Sequence, residues 1–155
     1  MTVRVAIAGA KGRMGETLLQ LVSGSDDLQL AALTLAPGEE VPDSAGALAG
    51  LYTHDIAVAL EHADVLVDFT SPQTVAAHAQ ACSNAGVAWV LGTTGLDAQQ
   101  QQLVMHASSI VAVCHAANFS TGVNLMLRLV ELATKVVGTD TDLEVVEAHH
   151  RRKSA

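Results

Sequence analysis

The sequence is poor in aromatic residues, cysteines and cations, and each shortage excludes a class of protein. Only 3% of its 155 residues are aromatic although half are hydrophobic, so Ala, Val and Leu must build the core. Such a core suits helices packed closely on a parallel sheet better than an aromatic-rich β-sandwich. Eight Lys and Arg residues against 16 Asp and Glu give a net charge of −8, which argues against a nucleic-acid partner.

Cysteines and long apolar runs are also scarce. The two cysteines, Cys82 and Cys114, provide no disulfide framework, and we expect both to be buried free thiols in a reducing compartment. The first apolar stretch is too short for a signal-peptide core, and no stretch approaches the ~20 apolar residues of a membrane span. The composition therefore predicts a soluble, cytoplasmic protein with no membrane partner.

Apolar runs that predict strands alternate along the chain with segments that predict helices. This alternation predicts a Rossmann-like, doubly wound parallel sheet of the α/β class. The predicted strands are Val3–Ala8, Leu28–Leu35, Val65–Phe69, Ala88–Leu91, Ile110–Val113 and Leu143–Ala148. The predicted helices cover Met14–Val22, Ile56–His62, Gln73–Asn84 (closed by Gly86), Asp97–Ser108 and Gly122–Val137, and residues 36–53 are predicted to be a loop.

A glycine-rich segment follows the first predicted strand. Its spacing is Gly9, Gly12 and Gly15, with Ala10 where the strict dinucleotide pattern has glycine. Between a strand and a helix, the free backbone N–H groups and the helix dipole of such a turn can hold a pyrophosphate. The alternative is a tight turn that needs glycine for its backbone geometry alone.

The end of the second predicted strand bears on the choice of cofactor. Dinucleotide folds usually place there an acid that holds the adenosine ribose. Here Leu35 and Ala36 occupy the place, and the first acids come later, at Glu39 and Glu40. Without a carboxylate to repel a 2′-phosphate, and with Lys11 and Arg13 nearby to attract one, the sequence weakly favours NADPH over NADH.

Three further segments follow predicted strands. They span residues 68–72, 92–95 and 115–120 and offer hydroxyls, amides and small residues. Each by itself fits an ordinary turn with a capping Ser or Thr. Because ligands of open α/β sheets lie at the carboxyl ends of the strands, all three segments together favour a ligand site.

The last residues form a cluster of histidines and cations. It contains His149, His150 and three cations ending at Lys153. A metal site is not expected, because adjacent strand residues point to opposite faces and no His/Cys spacing matches a metal motif. Two interpretations remain: a basic tail, or a proton-donating histidine beside cations that attract a small carboxylate substrate.

Taken together, these segments resemble the dihydrodipicolinate reductase family. The resemblance covers nearly the whole chain and rests on five motifs: V-A-I-A-G-A-x-G-R-M-G, D-F-T-x-P, G-T-T-G, A-A-N-F-S-x-G-V-N and E-A-H-H-R-x-K. It implies hydride transfer from NADPH or NADH to a cyclic imine dicarboxylate, 4-hydroxy-tetrahydrodipicolinate, in lysine and diaminopimelate biosynthesis. It also implies a homotetramer.

The same resemblance assigns roles to individual residues. His149 would donate the proton, Lys153 would assist it, and His150 would hold the substrate. The implied domains are residues 1–120, which bind the dinucleotide, and residues 121–155, which begin a substrate domain largely absent from this chain. The implied cofactor-binding residues are Gly9, Ala10, Lys11, Gly12, Arg13, Met14, Phe69, Thr70, Gly92, Thr93, Thr94, Ala116, Ala117, Asn118 and Phe119.

A non-catalytic NAD(P)-binding module, such as a redox sensor, is the alternative from another class. Such a module would have the glycine-rich turn but would not need His149, His150 and Lys153 together.

Overall fold

Six parallel strands form one sheet in a computed structural model of the chain, which describes residues 2–138, 141, 142, 144 and 146. The sheet order is β3-β2-β1-β4-β5-β6, and every neighbouring pair is parallel. The predicted Rossmann-like parallel sheet is therefore confirmed. The strands are β1 Val3–Ala8, β2 Leu28–Thr34, β3 Tyr52–Thr53, β4 Val65–Asp68, β5 Ala88–Leu91 and β6 Val113–His115.

Helical segments connect the strands. Pro72 begins a short 3₁₀ segment ahead of the third α-helix, and Gly86, at a φ of 68°, ends that helix as predicted. The α-helices are α1 Arg13–Ser23, α2 Ile56–Leu60, α3 Val75–Ala85, α4 Ala98–Ser108 and α5 Thr121–Val137, and the 3₁₀ segments are Asp43–Leu51 and Pro72–Thr74.

Both faces of the sheet are covered, because successive residues of a strand point to opposite faces. On one face, Val5 and Ile7 of β1 pack with Val22 of α1. On the other, Ala6 and Ala8 belong to a larger cluster that includes buried residues of α2, α3 and α4. A strand buried on both sides reads as a continuous apolar run, which is why β1 could be located from the sequence.

The order of the strands creates a crevice between β1 and β4. The chain runs outward from β1 to β2 and β3, and then returns to place β4 on the other side of β1. In open α/β sheets, ligands bind at the carboxyl ends of strands where the winding direction changes in this way. The segments that follow β1 and β4 are therefore the expected place for a ligand.

Two strand predictions differ from the structure. The strand predicted at Ile110–Val113 begins only at Val113, because the N–H groups of Ile110 and Val111 still donate to the Ala107 carbonyl at the end of α4. Strand β3 lies in the segment predicted as a loop, since two residues are too few to show an alternating pattern. The predicted strand Leu143–Ala148 falls mostly outside the described residues.

The two cysteines are both free, but only Cys82 is buried. The expected burial of Cys114 is wrong, because it lies on β6, an edge strand of the sheet, and is exposed.

The chain separates into two compact units, residues 1–117 and residues 118–155. The second unit contains α5, whose N-terminus is capped by the Ser120 hydroxyl. Within the described ranges, no helix is both long and apolar enough to cross a membrane.

Candidate functional site

The register of the sheet brings the predicted binding segments to one edge. Ala8 pairs with Asp68, Asp68 with Leu91, and Leu91 with His115. These are the last residues of their strands, so the segments that follow leave the sheet at the same level. The residues that begin those segments are Gly9, Phe69, Gly92 and Ala116.

The segment from Gly9 to Gly15, here called the glycine turn, is held by β2. Thr34 accepts two hydrogen bonds from this segment. Its hydroxyl accepts from the Gly9 N–H at 3.0 Å, and its carbonyl accepts from the Ala10 N–H at 2.9 Å. Gly9 has a φ of 69°, a conformation that costs an L-residue roughly 1–2 kcal/mol. The turn is therefore fixed before any ligand arrives.

The N-terminus of α1 has no side-chain cap. Its N-cap residue is Gly12, and the first intrahelical bond runs from the Glu16 N–H to the Gly12 carbonyl. The preceding N–H groups, of residues 13–15, thus have no intrahelical acceptor. Three other helices are capped by the side chains of Asp55, Asp97 and Ser120. The glycine turn therefore ends in backbone donors and a helix dipole that suit an anion.

Thr70, in the segment after β4, packs against the glycine turn. A Cβ added to Gly9 would lie 2.9 Å from the Thr70 methyl carbon, so only glycine fits there without displacing it. The contact crosses the crevice between β1 and β4, and it brings together two predicted cofactor-binding residues, Gly9 and Thr70.

A buried carboxylate holds Thr70 in place. Asp68 is fully buried and accepts from the Thr70 N–H at 3.0 Å and from the Thr70 hydroxyl at 2.6 Å. Its other oxygen lies 2.7 Å from His78 Nδ1 and accepts from Trp89 Nε1 at 3.3 Å. We refer to these four residues as the Asp68 network. The network anchors the segment after β4 to α3 and β5.

The electrostatics of the network keep Asp68 ionised. Burial raises the pKa of the Asp68 carboxyl, but hydrogen bonds and charge from His78, with hydrogen bonds from Thr70, outweigh it and leave the pKa below its ordinary value. Burial also raises the pKa of the Cys82 thiol to about 12, with a smaller contribution from the charge of Asp68. Cys82 is therefore an inert core thiol.

The segments after β4 and β5 also touch. A Cβ on Gly92 would overlap the Phe69 ring, with its nearest ring carbon 2.0 Å away, so the ring lies directly on the Gly92 backbone. Thr93 is 3% exposed, and its hydroxyl has no hydrogen-bond partner among the described residues. Leaving a buried hydroxyl unpaired costs about 1–3 kcal/mol, so a ligand or water that reached this hydroxyl would be stabilised.

The remaining predicted cofactor residues are more dispersed. Arg13, Met14 and Thr94 are exposed near this edge, and Lys11 Nζ donates to the Glu40 carbonyl at 3.3 Å. Ala116 and Ala117 are the last residues of the first unit. The N–H of Ala116 donates to the Leu91 carbonyl at 3.2 Å. Asn118 and Phe119 belong to the second unit. His149, His150 and Lys153 lie outside the described residues.

Sequence reasoning missed Thr34, His78 and Trp89. An aspartate at the end of an apolar strand signals a buried partner, because an unpaired buried carboxylate is costly, but nothing in the sequence identifies His78 as that partner. Thr34 carries no sequence signal of its own, since threonine is common in strands.

Comparison with known proteins shows which family this chain is similar to. A family profile described as dihydrodipicolinate reductase, N-terminus, matches residues 3–119. The chain is 44% identical, over 99% of its length, to a 4-hydroxy-tetrahydrodipicolinate reductase from Alkalilimnicola ehrlichii, and 42% identical to one from Saccharophagus degradans. It spans 60% of the length of each of these relatives.

Solved structures show the same fold. A dihydrodipicolinate reductase with bound dipicolinate, from a Paenisporosarcina species, superposes with a TM-score of 0.66 at 27% identity, covering 86% of this chain and 54% of that one. A myo-inositol 2-dehydrogenase from Lactobacillus plantarum superposes with a TM-score of 0.65 at 16% identity, covering 86% of this chain and 42% of that one. The second likeness concerns the fold alone.

Proposed function

Because the chain belongs to the dihydrodipicolinate reductase family, we propose that it binds NADPH or NADH for the reduction of 4-hydroxy-tetrahydrodipicolinate to tetrahydrodipicolinate, a step of lysine and diaminopimelate biosynthesis. The observation that carries the proposal is the glycine turn, which is fixed by Thr34, contacts Thr70 and ends in an uncapped helix. The nicotinamide supplies a hydride when the cofactor is bound.

The glycine turn fits the diphosphate of the cofactor. The N–H groups of Gly9, Ala10 and Gly12 already donate within the protein, so the N–H groups of residues 13–15, which have no intrahelical acceptor, would bind the phosphates. The exposed side chains of Lys11 and Arg13 would add positive charge. At Gly12, which is exposed, the absence of a side chain lets the diphosphate approach the backbone closely.

The nicotinamide end would lie further along the same edge of the sheet. Phe69, Thr70, Gly92, Thr93 and Thr94 would line it, together with Ala116 and Ala117. The rigid support of this region is the Asp68 network below Thr70 and the Phe69 ring on Gly92. Rigid walls keep the reacting atoms at a productive distance.

The terminal cluster would act on the substrate. The 4-hydroxyl group of the substrate leaves as water, and hydride addition to the resulting unsaturated imine leaves negative charge. His149 would neutralise this charge by donating a proton, while a cationic Lys153 would stabilise the charge as it develops. His150 would bind a substrate carboxylate. In this proposal residues 1–120 form the cofactor domain and residues 121–155 begin the substrate domain, and the homotetramer of the family stays part of the proposal.

Cofactor binding can be tested with a matched pair of glycine variants. Gly9 and Gly86 have nearly the same positive φ, 69° and 68°, but a Cβ on Gly86 would meet nothing within 4 Å. Both Gly→Ala variants therefore carry a similar backbone penalty, and only Gly9→Ala crowds the glycine turn. Calorimetry with the 155-residue chain should show that Gly9→Ala weakens binding of NADPH and NADH by about tenfold or more, while Gly86→Ala binds as the wild type does. Absence of binding of both cofactors to the wild type at millimolar concentration would overturn the proposal.

The catalytic assignment needs kinetics. His149→Gln should lower kcat by roughly 10²–10⁴-fold with little effect on KM, whereas His150→Gln should mainly raise KM. Near-normal kcat in His149→Gln, with a large loss in His150→Gln, would exchange the two roles. Normal kcat in both variants would leave the cluster as a basic tail.

A further inference from the structure

The loop after β2 returns a carboxylate to the end of that strand. The Ala36 N–H donates to Glu39 Oε2 at 2.8 Å, and the Glu39 N–H donates back to the Ala36 carbonyl at 3.1 Å. These two bonds close a tight turn over residues 36–39. Although Glu39 comes three residues later in the chain, its carboxylate thus lies beside Ala36, just beyond the end of β2.

The residues that flank this turn, Thr34 and Glu40, are both bonded to the glycine turn. Thr34, the last residue of β2, binds the N–H groups of Gly9 and Ala10. Lys11 Nζ reaches from the glycine turn to the carbonyl of Glu40 at 3.3 Å. Glu39 therefore belongs to the same edge of the sheet as the proposed phosphate site, next to the strand that borders β1.

One oxygen of Glu39 is still available to a ligand. Oε2 is engaged by the Ala36 N–H, which fixes the direction of the carboxylate, and no residue that the structure describes donates to Oε1. Glu39 is half-buried, whereas Glu40 is exposed and contributes only its backbone carbonyl to the described contacts. A carboxylate accepts hydrogen bonds and cannot donate them, so it suits a pair of hydroxyls and repels a phosphate.

We propose that Glu39 determines the choice of cofactor: its Oε1 accepts from the adenosine ribose hydroxyls of NADH, and its charge disfavours the 2′-phosphate of NADPH. The proposal rests on the cofactor site proposed above. It reverses the direction expected from the sequence, because the expectation for NADPH depended on the lack of an acid at Leu35 and Ala36. Lys11 and Arg13 do not restore that expectation, since in the proposed site their charges serve the diphosphate, which NADH and NADPH share.

The test compares Glu39→Gln with Glu40→Gln. Both variants remove one negative charge from adjacent positions, and glutamine at position 39 keeps an oxygen that can accept from the Ala36 N–H. Dissociation constants of the 155-residue chain for NADH and NADPH are measured by calorimetry at low and at high salt. Melting temperatures serve as a check that both variants are folded.

The wild type should bind NADH more tightly than NADPH. Glu39→Gln should shift the NADPH-to-NADH affinity ratio toward NADPH by about tenfold at low salt, with a smaller shift at high salt, while Glu40→Gln should leave the ratio within about twofold. Tighter binding of NADPH by the wild type would overturn the proposal, as would equal shifts in the two variants. Binding of neither cofactor would instead overturn the proposed function, and this inference with it.

Discussion

Helix α1 passes so close to the glycine turn that one added methyl group should separate them. A Cβ on Gly15 would lie 2.2 Å from the Gly9 carbonyl oxygen and 2.7 and 2.8 Å from the Cα and carbonyl carbon of Ala10. All three are backbone atoms of a turn that Thr34 holds by two hydrogen bonds. They cannot rotate away as a flexible side chain could, so the helix itself must move.

The magnitude of the effect of Gly15→Ala follows from this geometry. Relieving the overlap requires a displacement of roughly 1 Å, and overpacking of this kind costs about 1–3 kcal/mol. The better helix propensity of alanine returns up to ~1 kcal/mol. We therefore expect the free energy of unfolding to fall by about 1–2 kcal/mol. Cofactor affinity should fall by about tenfold or more, because the N–H groups of residues 13–15 move with the helix.

Gly24→Ala is the matched control, since Gly24 ends the same helix. Its φ is −95°, and a Cβ there would lie 3.4 Å from the Gln20 carbonyl oxygen, an ordinary contact. Urea denaturation and cofactor calorimetry of the two variants make the comparison. Gly24→Ala should stay within about 1 kcal/mol of the wild type and bind the cofactor normally. Equal stability and equal affinity in both variants would refute the packing argument.

Three further predictions concern Asp68 and the two cysteines. Asp68→Asn should lower the free energy of unfolding by about 2–4 kcal/mol in urea titrations, because an amide NH₂ would face the Trp89 N–H donor in the core; a loss below about 0.5 kcal/mol would count against it. Because the folded pKa of Asp68 lies below its ordinary value, its contribution is complete above the unfolded pKa of about 3.9 and is lost as pH falls through the folded pKa. Melting temperature should therefore drop below about pH 4, less steeply in Asp68→Asn. In the folded chain an alkylating reagent should modify exposed Cys114 and spare buried Cys82, and mass spectrometry showing equal labelling would contradict the structure.

The sequence predicted the parts of the fold that depend on long, local patterns. Strand β1 is buried on both faces and reads as a continuous apolar run, and α1 shows a regular apolar stripe, so both were located within about two residues. Parallel pairing then places the segments after β1, β4 and β5 at one edge, which is why the sequence alone predicts a candidate site there.

The parts that the sequence could not predict depend on contacts between distant residues. Strand β3 has two residues and exists because Tyr52 pairs with Leu33. The return of Glu39 to Ala36 depends on the path of a loop, and a count of residues along the chain misplaces it. The Asp68 network joins β4, α3 and β5, and no local pattern states that His78 will face Asp68.

The Asp68 network also contains a fluorescent side chain, the indole of Trp89. Trp89 is the one tryptophan in the sequence, and its indole donates to the same carboxylate that holds Thr70. Thr70 in turn touches Gly9. The glycine turn is thus connected to the indole through one side-chain contact and two hydrogen bonds. Intrinsic fluorescence of the unlabelled chain, excited selectively at the indole, therefore comes from a single chromophore placed directly behind the proposed cofactor site.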